Sequence, residues 1–126
     1  MASAAVQLGV LLPPSEGKAV GGTGPIWSPD LGRFAELERR RSTLARRLVR
    51  VRGGNEKLLG IGGHHLVSAR SANATLQSAP SLPAWQRYTG VVWGGLDVGS
   101  LPAAASRRAM SSVVVVSGLL GLVALD

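Results

Sequence analysis

The apolar positions of this chain fall into three kinds of run, and each predicts a different element. Residues 6–12 form a short apolar segment closed by Pro13 and Pro14. Proline has no N–H to give to a sheet ladder, so a strand there ends at the prolines. From Leu31 onward, Phe34, Leu37, Leu44, Leu48 and Val51 recur at helical spacing and share one face at about 100° per residue. Ser28 or Asp30 is placed to cap that helix, and Gly53 with Gly54 to end it. Arg39, Arg46, Arg47 and Arg50 project from another face, whereas Arg41 falls near the apolar side and has to snorkel past it to water. Residues 113–116 are four valines in succession, which fits a strand buried on both faces, followed by a turn at Ser117 and Gly118 and then a helix start. Residues 87–97, RYTGVVWGGLD, set β-branched and aromatic side chains beside glycines.

Composition narrows what these elements can build. The chain has 126 residues, 45% of them hydrophobic, which suits one domain with a modest core. Trp27, Phe34, Trp85, Tyr88 and Trp93 are the only large rings, so the core is made mainly of Leu, Val and Ala. Cysteine is absent, which removes disulfides, thiolate metal sites and cysteine nucleophiles, and fits a reducing compartment. The net charge of +7, carried by twelve arginines and two lysines against seven acidic residues, favours an anionic partner. Residues 1–5 carry no basic side chain and the apolar run after them is short, so no secretory signal is expected. Residues 109–125 are uncharged and follow Arg107 and Arg108, but Ser111, Ser112, Ser117, Gly118 and Gly121 interrupt them. That suits strand and turn better than a membrane span, so no stable membrane association is expected.

Two stretches carry candidate chemistry. The loop after the first strand holds Ser15, Glu16, Gly17 and Lys18, where backbone N–H groups and a lysine could hold an anion at a strand's carboxyl end. It is not a Walker loop, because the nearest upstream glycine is Gly9 and Ala19 stands where Ser or Thr would bind magnesium. Farther on, Leu58, Gly60, Ile61 and Gly62 have the hydrophobic-x-Gly-hydrophobic-Gly form of a helix-hairpin-helix turn, within an element at residues 55–76. Glycines at 60 and 62 permit positive φ and close approach of a phosphate, and free N–H groups at the next helix start bind it without reading bases. Leu66, Val67 and Ala69 supply apolar positions for that second helix. His64 and His65 are adjacent, not four apart, and suit surface or cap positions better than zinc binding. No serine-histidine-acid order or carboxylate pair offers a catalytic mechanism, and no cofactor or metal is expected.

Three blocks in order, VLLPPSEGKA at residues 10–19, LQSAPSLPAWQRYTGVVWGGLD at 76–97 and VVVVSGLLGLVALD at 113–126, resemble the amino-terminal half of the YaaA family of peroxide stress proteins, in its actinobacterial PPSEGK form. The resemblance implies a mixed α/β fold, a cytoplasmic protein, sequence-tolerant binding of double-stranded DNA through a basic cleft and a helix-hairpin-helix element, and a part in limiting intracellular iron under peroxide. By position it places the loop lysine at Lys18, YTG at Tyr88, Thr89 and Gly90, and SGL-G at Ser117, Gly118, Leu119 and Gly121. The hairpin falls at Gly60, Ile61 and Gly62. The family pattern continues past the closing LD pair, so residues 1–126 are expected to form a single, incomplete α+β domain of this type. Two other classes compete with that reading. One is an enzyme with a small-molecule pocket lined by Ser15, Lys18, Tyr88 and Ser117; the other is a truncated or tail-anchored fragment.

Overall fold

The computed structural model describes residues 8–126, so residues 1–5, where no leader is expected, and the first two positions of the predicted strand lie outside it. The described residues divide into two compact units: one made of residues 8–20 and 83–126, the other of residues 21–82. Together they hold six α-helices and a three-stranded sheet among the described residues, an α+β fold.

The first unit is built on the sheet. β1 (Val10–Leu12) ends at the prolines, as the missing N–H requires. It pairs in parallel with β2 (Val113–Ser117), with Val10 opposite Val113 and Leu12 opposite Val115. β3 (Gly121–Ala124) pairs antiparallel with β2, Val115 opposite Val123 and Ser117 opposite Gly121. The segment after the valines is therefore a returning strand and not the expected helix start. Gly121 takes φ 73°, and the Leu120 N–H donates to Ser117 Oγ at 3.1 Å, which closes a three-residue hairpin loop and turns Leu122 back onto Val116.

Nor are the valines buried on both faces. Val113 and Val115 enter the core, while Val114 is half-buried and Val116 exposed, the alternation of a sheet covered on one side. The cover comes from short helices. α4 (Ala84–Arg87), α5 (Val91–Leu96) and α6 (Ala103–Ser112) bring Ala84, Tyr88, Trp93 and Val98 against Val113, Val115 and Leu125, with Leu12, Trp85, Ala109, Met110 and Val123 packed around them. Tyr88 stacks on Trp93 with ring centroids 5.1 Å apart. The stretch with β-branched residues beside glycines thus becomes a helix: Gly90, at φ 111°, starts α5 where a side chain would be strained, Val91 and Val92 face solvent and Trp93 faces the core. No helix among the described residues is long and apolar enough to cross a membrane.

The second unit is helical. α1 (Glu38–Arg50) follows a 3-10 turn at Ala35–Leu37 and starts later than the sequence pattern predicts. Gly32 and Phe34 are both left-handed, at φ 79° and 65°, and break the helix before it can reach back to Ser28. Ser28 instead donates its hydroxyl to Asp30, within the loop. The buried side of α1 also differs from the expected one. Ala45 is fully buried and Arg41 is 6% exposed, while Leu44 and Val51 lie toward solvent. Arg41 does not snorkel, because its guanidinium donates to the Pro29 carbonyl at 3.2 Å. Burial lowers its pKa and nearby Glu36 raises it, though an arginine keeps its proton throughout.

α1 ends where Arg52, left-handed at φ 54°, donates to the Val49 carbonyl at 3.0 Å and Gly53 to the Leu48 carbonyl at 2.7 Å, a Schellman-type close whose left-handed position is held by an arginine instead of the expected glycine. The chain then runs through α2 (Glu56–Leu59), capped by Asn55 accepting the Leu58 N–H at 2.8 Å, into α3 (Gly63–Ala74), which packs on α1. Gly53 also accepts from Asn73 Nδ2 at 3.0 Å, tying the end of α1 to α3. Residues 24–27 pair with 79–81, through Trp27 N–H to the Ala79 carbonyl at 2.9 Å and Ser81 N–H to the Pro25 carbonyl at 2.8 Å, and hold the unit's ends together.

Candidate functional site

Two groups of residues stand out, one in each unit. In the sheet unit, the PPSEGK loop lies along the segment after α4. The Ala19 N–H donates to the Arg87 carbonyl at 2.8 Å, the Thr89 N–H donates to Gly17 at 3.0 Å, and Lys18 and Tyr88 form a β-bridge. Ser15 donates its hydroxyl to the Thr89 carbonyl, and the Arg87 guanidinium donates to the Ala19 carbonyl. Two glycines allow this approach. A Cβ on Gly17 would stand 2.6 Å from Thr89 Oγ1, and one on Gly90 3.0 Å from Ser15 Oγ.

Lys18 Nζ donates to the Ser15 carbonyl at 2.8 Å and sits 5.7 Å from the Tyr88 ring centroid. Desolvation lowers its pKa from the ordinary lysine value, with Glu16 pulling it back up. Tyr88 is buried, and its phenol bonds Ser117, whose Oγ also accepts from the hairpin loop. Of the eight residues read from sequence as an anion pocket, Ser15, Gly17, Lys18, Tyr88, Thr89, Gly90 and Ser117 are thus joined in one network. Gly118 lies exposed at the hairpin tip, with nothing within 4 Å of where a Cβ would stand. Sequence reasoning missed Arg87, whose guanidinium braces the loop, because an arginine in a short helix carries no signal of its own.

Burial raises the Tyr88 phenol above the usual tyrosine value, while the Ser117 hydrogen bond and Arg87 draw it down. A group whose folded pKa lies above its unfolded value, about 10 for tyrosine, supports stability that is intact below that pH and lost as pH rises through the folded value. Tyr88→Phe is therefore expected to cost about 1 kcal/mol at neutral pH through the lost hydrogen bond, and to lose stability less steeply than wild type above about pH 10. Urea melts of both proteins from pH 8 to 11 check this, since the Lys18 contribution is common to both. Parallel stability curves would remove Tyr88 as the alkaline trigger.

In the helical unit, Arg39, Arg46, Arg47 and Arg50 are all exposed, and with Arg40 and Thr43 they fill an arc of about 120° opposite the buried side of α1. Arg39, Arg40, Thr43 and Leu44 border a shallow open depression of about 410 Å³. The hairpin glycines divide differently from the sequence expectation. Gly60 is left-handed at φ 67° and closes α2, but Gly62 is extended at φ −131°, a conformation open to any residue; the second left-handed position is Gly63, at φ 58°. Two left-handed residues flank Ile61 and Gly62, and the chain passes from α2 into α3 through these three loop residues. Leu66 and Ala69 turn inward on α3, while Val67 is exposed. His64 and His65 lie exposed on the first turn, ring centroids 3.9 Å apart, and no cluster of three or more metal-ligating side chains occurs among the described residues.

Charge is divided unevenly between the units. Residues 21–82 hold ten basic and four acidic side chains, a net +6, while the sheet unit holds four and three, a net +1. The fold and these surfaces define a basic α+β protein with its positive charge gathered on a helical unit and a buried-tyrosine network on a small mixed sheet. The chain belongs to the family of peroxide stress protein YaaA, whose pattern matches residues 8–126. Its relatives include UPF0246 protein SCO2297 of Streptomyces coelicolor, 41% identical over 119 residues, which cover 90% of this chain and 45% of the relative. UPF0246 protein CE1889 of Corynebacterium efficiens is 39% identical over 108 residues, covering 83% and 43%, and a Corynebacterium glutamicum relative is 34% identical over 116 residues. The chain spans a little under half the length of the curated relatives it matches. No solved structure matches it.

Proposed function

We propose that this chain acts in the peroxide stress response as a cytoplasmic protein that binds double-stranded DNA without sequence selectivity, and that this contact belongs to a role in limiting intracellular iron. The observation that carries the DNA reading is the division of charge. Six of the seven net positive charges sit on the helical unit, and the arginine arc of α1 has only Glu36 and Glu38 near it in sequence to offset repulsion. A polyanion laid across that arc relieves the repulsion and releases condensed counterions. The turn between α2 and α3 adds backbone N–H groups at the start of a twelve-residue helix. Such contacts address phosphates and sugars, which position a duplex without reading it.

The turn is tested separately from the arginines. Gly60 is left-handed with open space where a Cβ would go, so Gly60→Ala costs on the order of 1 kcal/mol of backbone strain and sets a methyl at the phosphate approach. DNA retention on filters at low salt is expected to fall several-fold for Gly60→Ala and to change little for His64→Ala. The reverse order would move the contact from the turn to the histidines.

A second reading has its own observation. The network of Ser15, Lys18, Tyr88 and Ser117 joins polar groups from three separate stretches of chain at one end of the sheet, as a small anionic ligand would require. Thermal shifts with anionic metabolites that vanish in Lys18→Met, while DNA retention persists, would favour it.

A further inference from the structure

Thr43 stands at the centre of the arginine arc on α1. Residues three and four apart on a helix are neighbours, about 5 to 6 Å between Cβ atoms, so Arg39, Arg40, Arg46 and Arg47 occupy the four neighbouring positions around it. All five side chains are exposed, and after Glu38 the helix carries no acidic residue to offset them. The Thr43 hydroxyl donates to the Arg39 carbonyl at 2.9 Å. Its hydrogen is thereby spent inside the helix, and its oxygen is left as an acceptor amid the guanidinium groups. On one side this charged ring meets an apolar wall. Leu44 is 39% exposed and borders the same depression of about 410 Å³ as Arg39, Arg40 and Thr43, within the range of about 300 to 1,000 Å³ usual for small-molecule sites. Arg40 and Leu44 are one turn apart, which sets a guanidinium plane beside an apolar side chain on that border.

We infer that this depression binds a nucleoside polyphosphate, its phosphates among the Arg39, Arg40, Arg46 and Arg47 guanidinium groups and its base against Leu44 and Arg40. Charge and the apolar wall select that class together. Guanidinium groups pair with phosphate oxygens in bidentate fashion, and several of them around one point suit the charges that a di- or triphosphate gathers on adjacent phosphorus atoms. A base offers a flat face that packs on leucine and stacks on an arginine plane. The Thr43 oxygen accepts from a ribose hydroxyl or a base amino group. Inorganic polyphosphate satisfies the arginines but leaves Leu44 in water, and a free nucleoside does the opposite. A duplex also addresses the arginines, yet its bases are stacked inside and its backbone has no base face to lay on Leu44. Leu44 therefore separates this site from the proposed DNA contact, while nucleotide and duplex compete for the same guanidinium groups. The site does not depend on the DNA reading.

The test is calorimetric titration of the full 126-residue chain at low salt without magnesium, with ATP, inorganic tripolyphosphate and adenosine as probes. ATP is expected to bind at least fivefold more tightly than tripolyphosphate, and adenosine to give no measurable heat. In wild-type protein labelled with nitrogen-15, ATP is expected to shift the amide signals of residues 39–47, a readout that needs no variant. Leu44→Gln keeps a good helix former at a border position, and is expected to erase the advantage of ATP over tripolyphosphate. Arg40→Gln with Arg47→Gln is expected to weaken ATP binding at least tenfold. The pair Arg107→Gln with Arg108→Gln, exposed on α6, is expected to change it less than twofold. The inference is overturned if ATP does not bind, if ATP and tripolyphosphate bind equally, if the advantage of ATP survives Leu44→Gln, or if both arginine pairs weaken ATP alike. Absence of duplex retention alongside the expected nucleotide results would remove the DNA reading and support this one.

Discussion

Replacing Arg39, Arg46, Arg47 and Arg50 by glutamine is expected to flatten the salt dependence of DNA retention by about 3 to 4 units of log–log slope. Each phosphate contact on B-DNA contributes about −0.9 to that slope through counterion release, and four guanidinium groups can each supply one. All four lie on the exposed arc of α1, while the residues that hold the helix in place, Arg41 and Ala45, lie on its other side. The substitution should therefore leave the fold intact, and glutamine keeps the length and helix propensity of the replaced side chain. Arg41 is the internal contrast. Its guanidinium is buried against the Pro29 carbonyl, so Arg41→Gln is expected to lower stability and leave the slope unchanged. Filter retention of a random-sequence duplex between 50 and 300 mM salt measures both. A slope unmoved by the fourfold change would remove α1 from the interface.

A single methyl at Gly53 should be the most damaging small change in the helical unit. Gly53 is buried and left-handed, and an added Cβ would meet the Arg70 carbonyl oxygen at 2.1 Å, which is backbone of α3 and cannot swing away. The strain of a positive φ costs on the order of 1 kcal/mol. Forcing α3 off α1 adds about 1 to 3 kcal/mol more, the usual range for overpacking. Gly32→Ala isolates the first part, since Gly32 has φ 79° and nothing within 4 Å of its Cβ position. Urea melts followed by far-ultraviolet circular dichroism are expected to show Gly53→Ala losing two to four times as much stability as Gly32→Ala. Equal losses would mean that the α1 and α3 contact yields without cost.

The site residues are legible in the sequence to unequal degrees. The PPSEGK loop and the YTG and SGL motifs stand in the chain as separate short motifs, and the structure links seven of their eight named residues through Ser15, Lys18, Tyr88 and Ser117. Arg87 escapes a reading of the sequence because its role depends on where the Ala19 carbonyl lies, 68 residues away. On α1 the spacing of Phe34, Leu37 and Leu48 identifies the inward side, yet Leu44 and Val51 turn outward and Arg41 inward. A helical wheel locates an apolar face only to within its edges, and the partner helix decides which edge is covered. The left-handed turn expected at Gly62 belongs to Gly63, a one-residue shift that a glycine-rich stretch cannot resolve by composition.

Chemistry that acts over a few residues is therefore written in the chain itself: prolines that stop β1, glycines that follow α1 and turn the chain before α3, arginines that repel one another on one side of a helix, and the motif order that places the chain in its family. Contacts across long sequence separations are not. Whether four valines lie under one layer or two, whether Leu122 to Ala124 start a helix or return as a strand, and whether Arg41 meets water or the Pro29 carbonyl all depend on which surface arrives from elsewhere in the chain. Burial free energy is collected only when that surface is in place, and local propensity carries no record of it.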